Sequence, residues 1–106
     1  MATGILGSAD LSATTDTTLY TVPASTFAVV TVSLCNRAAT STLVRIAVAA
    51  SGTPTASEYI EFDSEVLAKG VLERTGIVLQ AGKVLVVRAS AVNMTAVAFG
   101  IETSTA

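Results

Sequence analysis

The chain has 106 residues, enough for one domain with a single core and too few for an appended module. Hydrophobic residues make up 51% of it and charged residues only 13%, against a usual quarter, so one small core has more apolar side chains than it can hide. A net charge of -2 without any basic run excludes an electrostatic footprint for nucleic acid. The absence of histidine and the single cysteine exclude an internal disulfide and a multi-cysteine metal centre.

Taken in order, Ile5 to Leu11 reads as a short first strand weakened by Gly4, Gly7 and Ser8, or as an arm lying on a neighbour. Its start lacks the basic residues of a secretion signal, so no targeting peptide is expected. Thr18 to Val22 reads as a strand stopped by Pro23, which cannot donate to a ladder. Phe27 to Asn36 is the clearest strand, with Ala28, Val30, Val32 and Leu34 on one face and Val29, Thr31, Ser33 and Cys35 on the other. The longest uncharged run, Thr17 to Asn36, is too rich in Thr and Ser for a membrane span.

Thr42 to Ala49 follows as a strand, and Ala50 to Ser57, with Gly52 and Pro54, as a surface loop. Tyr59 to Asp63 alternates again, and Ser64 to Gly70 is the one stretch where a helical turn fits. Val71 to Leu79 contains Gly76, which points to a bulge. A tight turn, Gln80 to Gly82, leads into Lys83 to Ala89, and Met94 to Glu102 is the last strand. In it Val97, Phe99 and Ile101 share one face, with Ala96, Ala98 and Gly100 on the reverse.

Seven or eight short strands with turn residues between them define an all-β chain, and the spacing predicts a single antiparallel β-sandwich of jelly-roll or Ig-like type. Residues 1–12 are expected to form an N-terminal arm or edge strand, and residues 13–106 the sandwich. Lys83 to Ala89 and Met94 to Ile101 are apolar or small on both faces, whereas a sheet with one wet face alternates with polar residues. The small side made by Ala96, Ala98 and Gly100 is either a second core face or a surface for close approach by another subunit. The hydrophobic total favours an obligate homo-oligomer, with a trimer as the first expectation. The candidate subunit interface comprises Ala96, Ala98, Gly100, Leu85 and Val87, together with Ile5 and Leu6 from the arm.

Candidate chemistry is thin. Glu58, Glu61, Asp63 and Glu65 form the one carboxylate cluster, with glycosidase and calcium readings, but alternation places most of them on a solvated strand face. Cys35 has no histidine to activate it and reads as a small buried hydrophobe. Glu73, Arg74, Arg45 and Arg88 are candidates for cross-strand charge pairs or for pairs that fix an interface. Tyr20 and Tyr59 would make only a thin platform for stacking on sugar. No catalytic residue, cofactor or metal site is expected, and the chain does not read as an enzyme.

Three segments carry a family resemblance: Thr18 to Ala38 (TLYTVPASTFAVVTVSLCNRA), Tyr59 to Ser90 (YIEFDSEVLAKGVLERTGIVLQAGKVLVVRAS) and Val97 to Glu102 (VAFGIE). They resemble small virion structural proteins of tailed bacteriophages, including phages of marine cyanobacteria, and related modules of tail-fibre and baseplate components. The matching motifs are the Tyr20 to Ala24 turn, the strand ending in Cys35-Asn36, the Leu79 to Gly82 turn with the Val-Leu-Val-Val strand after it, and Phe99-Gly100. Ser25 stands where a glycine commonly follows Pro-Ala, and Lys83 where an aspartate commonly follows Ala-Gly. The resemblance implies an oligomeric capsid decoration or cement protein, made in the host cytoplasm and bound to the major capsid protein on the virion surface. The alternatives are a tail, neck, baseplate or fibre component, or a receptor- or glycan-binding module. Neither a nucleic acid nor a membrane is expected as a partner.

Overall fold

The longest inward-facing row of the molecule belongs to the third strand, where Ala28, Val30, Val32 and Leu34 are all buried and the residues between them are not. The computed structural model describes residues 2–105, in which eight strands occur: β1 (Thr3–Leu11), β2 (Thr17–Thr21), β3 (Thr26–Asn36), β4 (Thr42–Ala49), β5 (Tyr59–Val66), β6 (Val71–Leu79), β7 (Val84–Ala89) and β8 (Met94–Ser104). They form two four-stranded sheets of order β1-β8-β3-β6 and β2-β7-β4-β5, stacked as a sandwich, with every neighbouring pair antiparallel. The described residues contain no α-helix. A single 3₁₀ turn lies at Ala56–Glu58, not in the Ser64 to Gly70 stretch, whose first residues instead extend β5 to Val66.

The gap between the sheets is filled from both sides. Leu19, Tyr20, Val44, Ile46, Leu85 and Val87 come from the second sheet and meet Val30, Val32, Leu34, Met94, Ala96 and Ala98 of the first. Each large aliphatic side chain removed from water there contributes about 1.5–3 kcal/mol before chain entropy is subtracted. Three polar residues, Thr26, Asn36 and Thr42, are buried at the strand ends. Asn36 donates from Nδ2 to the carbonyls of Thr40 and Val66 and accepts the Ala38 N–H, so it ties the β3–β4 connection to the end of β5 with its own polarity satisfied.

Two glycines have identifiable tasks. At Gly7 a Cβ would stand 2.0 Å from the Leu19 carbonyl oxygen, so only bare backbone lets β1 lie against β2. Gly76 takes φ +70°, and the β3–β6 register skips beside it, which makes the bulge that the sequence suggests. Ser25, in the β2–β3 turn, also takes a left-handed φ of +52°.

Residues 3–11 are hydrogen-bonded along β8 and share the core through Leu11, with Leu6 and Ala9 packed against it. The expected arm is therefore the edge strand of the chain's own sheet. Met1 lies outside the described residues.

Candidate docking face

The outer face of β1-β8-β3-β6 is built from the residues that alternate with the core. Cross-strand register arranges them in rows. Val78, Val29, Ile101 and Thr3 form one, Thr31, Phe99 and Ile5 the next, then Glu73, Ser33, Val97 and Ser8, and last Val71, Cys35, Thr95 and Asp10. Ile5 and Val78 are each 66% exposed, Ile101 48% and Val29 37%. The first two rows carry no charge. These side chains make a contiguous apolar surface rather than single scattered hydrophobes. Asp10 at the far end is paired with Arg37, while Glu73 makes no hydrogen bond or ion pair among the described residues.

The outer face of β2-β7-β4-β5 is covered in part by the chain itself, with Leu43 and Phe62 left exposed beyond the cover. Ala47, Ala49, Val84 and Val86 point outward yet are buried, with Tyr59 packed over them. The β4–β5 connection folds back across this face and comes so near β2 that a Cβ on Gly52 would meet Thr18 Oγ1 at 3.2 Å. Glu58 holds the connection closed, accepting the Ala50 N–H at 3.0 Å and the Thr55 N–H at 2.8 Å. Those two donors keep its carboxyl below the ordinary range.

Beyond the covering loop this face also carries charge. Arg45 and Arg88 stand directly opposite each other, an arrangement of like charges that needs compensation. Asp63 supplies it, accepting from Arg45 Nε at 2.7 Å and Nη2 at 3.3 Å, with Asp16 Oδ1 3.8 Å from Arg88. The guanidinium of Arg45 also lies 4.1 Å from the Phe62 ring centre, and Phe62 meets Tyr59 edge-on at 4.9 Å. A cleft of about 160 Å³ is lined by Thr14, Leu43, Arg45, Asp63, Arg88 and Ser90, two guanidinium groups with one carboxylate. Asp63 sits at φ +53° where the β4–β5 register skips, and this bulge turns its side chain to Arg45.

Several expectations are corrected. Ala96, Ala98, Leu85 and Val87 are fully buried between the chain's own sheets and offer nothing to a partner. Leu6 packs on that core. Gly100 does allow a close approach, but the neighbour is Val29 of the same chain, whose carbonyl oxygen a Cβ would meet at 2.0 Å. Of the seven candidates, Ile5 alone stands exposed on the bare face. Val29, Val78, Phe99 and Ile101 were missed, although alternation had already grouped Phe99 and Ile101 on one side of β8. Cys35 is half-buried on the outer surface, not in the core.

The carboxylates do not act together. Glu58 closes the loop, Glu61 pairs with Arg74 and accepts from Ser64, and Asp63 pairs with Arg45. Among the described residues no group of three or more His, Cys, Asp or Glu side chains is placed to hold a metal. Nor do the tyrosines form a platform. Tyr20 is buried and donates to Glu102, while Tyr59 lies on the outer side of the second sheet. Burial, together with that hydrogen bond to the Glu102 carboxylate, raises the Tyr20 phenol well above its ordinary value. Glu102, which also accepts the Ala2 N–H, is held below its own.

No protein-family model, curated protein or solved structure matches the chain.

Proposed function

We propose that this protein is a non-enzymatic structural component of a tailed-phage virion, foremost a self-associating capsid decoration or cement protein that stabilises the shell by bridging major capsid subunits. The observation that carries the reading is the pair of uncharged rows on the face of β1-β8-β3-β6, Val78-Val29-Ile101-Thr3 and Thr31-Phe99-Ile5, an apolar surface suited to docking. The fold is read as a jelly roll, because the strand orders β1-β8-β3-β6 and β2-β7-β4-β5 follow from two interleaved Greek keys, an arrangement used by viral capsid and lectin domains. The resemblance of Thr18 to Ala38 and Tyr59 to Ser90 to small virion proteins points the same way.

The test is the copy number of this chain in purified particles by quantitative mass spectrometry, with its position located by electron microscopy of labelled virions. A decoration protein is present in hundreds of copies on the capsid surface. Tens of copies or fewer, away from the capsid, reassign it to tail, neck, baseplate or fibre. Absence from the particle overturns the virion reading altogether.

A further inference from the structure

We infer that the bare face of β1-β8-β3-β6 is covered by the same face of a second copy, across a two-fold axis running parallel to the strands. The inference rests on the self-association in the proposed function and specifies the surface and symmetry by which it occurs.

Area is the first argument. Four strands about 4.8 Å apart, with roughly nine residues of each at about 3.3 Å, give about 550 Å² of flat projection. Side-chain relief enlarges this toward the roughly 800 Å² per partner of a standard interface.

Self-complementarity is the second. A two-fold parallel to the strands exchanges β1 with β6 and β8 with β3 while keeping each row at its own level. Phe99 then lies over the smaller Thr31 of the second copy, and Ile5 over the β6 bulge at Gly76, which has no side chain. Val29 meets Ile101 and Val78 meets Thr3. Phe99, Ile5 and Val78 thus oppose smaller groups across the contact, as closely packed layers require, while Val29 and Ile101 pack apolar against apolar.

Charge is the third. The same operation carries the unpartnered Glu73 of β6 to the β1 edge of the second copy, where Arg37 lies exposed against Asp10. One carboxylate is thereby supplied with a cation, twice per dimer, at the rim where a charge pair fixes register. Sheets stacked in this way lie about 10 Å apart with strands within about 30° of parallel, the usual geometry of aligned sheet packing.

The experiment is sedimentation equilibrium of the full chain from nanomolar to high micromolar concentration, alongside Ile101→Lys, Val29→Lys, Glu73→Lys and the control Leu67→Lys, exposed in the β5–β6 connection and outside the rows of the face. Far-UV circular dichroism and a thermal melt establish that each variant is folded. Maleimide labelling of the native Cys35, which sits on the face, reports its coverage. The wild type and Leu67→Lys sediment as dimers with Cys35 protected until dilution. Ile101→Lys and Val29→Lys weaken dimerisation by about 100-fold, as for a central anchor, and Glu73→Lys by several-fold, as for a rim charge. An oligomer that the face variants leave intact overturns the inference while keeping the self-association. A trimer overturns the two-fold arrangement. A wild type that stays monomeric throughout overturns both, and the virion assignment then rests on the copy-number measurement alone.

Discussion

The two sheets of this protein carry similar outward-facing aliphatic residues, but only one sheet has a loop across it. On β2-β7-β4-β5, Val84 and Val86 are buried because the Ala50 to Glu58 connection and Tyr59 fold over them, and the rest of the face mixes paired arginines and aspartates with the exposed side chains of Leu43 and Phe62. On β1-β8-β3-β6, Val29, Val78, Ile5 and Ile101 stand in solvent with no loop across them. The difference originates in chain connection, not in strand composition. The β4–β5 connection, residues 50–58, is long enough to return over its own sheet, whereas each connection leading to or from a strand of the bare sheet has only four or five residues.

The comparison breaks most sharply under one substitution made on both faces. Val86→Lys is expected to destabilise the fold by about 3–5 kcal/mol, because it places an unpaired ammonium beneath Tyr59 and the loop, and a denaturant titration measures the loss. A Gly7→Ala change comes next, at about 1–3 kcal/mol, since the new methyl group forces β1 away from the Leu19 carbonyl on the second sheet. Its signature is faster amide exchange along β1 with β4 and β7 unchanged. Ile101→Lys, on the bare face, is expected to alter the stability of the separated chain by less than about 0.5 kcal/mol, read at concentrations where copies dissociate. A loss as large as that of Val86→Lys would mean that the two faces do not differ in the way described.

The smallest effect is one of pH. The folded Glu58 carboxyl is held below its ordinary value by the Thr55 and Ala50 N–H groups, so its stabilising contribution is present above that value and is lost as pH falls through the depressed one. Asp63, lowered by Arg45, has the same sign. Acidification below the ordinary glutamate value of 4.5 should therefore loosen the covering loop first, seen as faster exchange of the Ala50 and Thr55 amides. The central rows of the bare face have no ionisable side chain and should keep their exchange rates. Glu58→Gln should show the loosened loop already at neutral pH.

Much of the architecture was legible from residues alone. Alternation in Phe27 to Asn36 identified the inward set of β3, Thr42 to Ala49 was bounded by its flanking turns, and Gly76 marked a real bulge. The helical turn was misplaced because Ser64 to Gly70 has fair helical residues, while the actual turn at Ala56–Glu58 depends on Glu58 reaching back to Thr55. The carboxylates of β5 were grouped by strict alternation, which the bulge at Asp63 breaks. No sequence pattern announces where a pairing will skip.

The sequence by itself determined an all-β chain, the approximate span of each strand, and the division of β8 into a small-residue side and a large-residue side. It did not determine which side faces inward, because both are apolar and period-two alternation is blind to direction. The tertiary structure decided this by volume. The second sheet already fills the gap with Leu19, Tyr20, Leu85 and Val87, so only Ala96, Ala98 and Gly100 fit opposite them. Val97, Phe99 and Ile101 are turned out onto the face that the chain leaves bare.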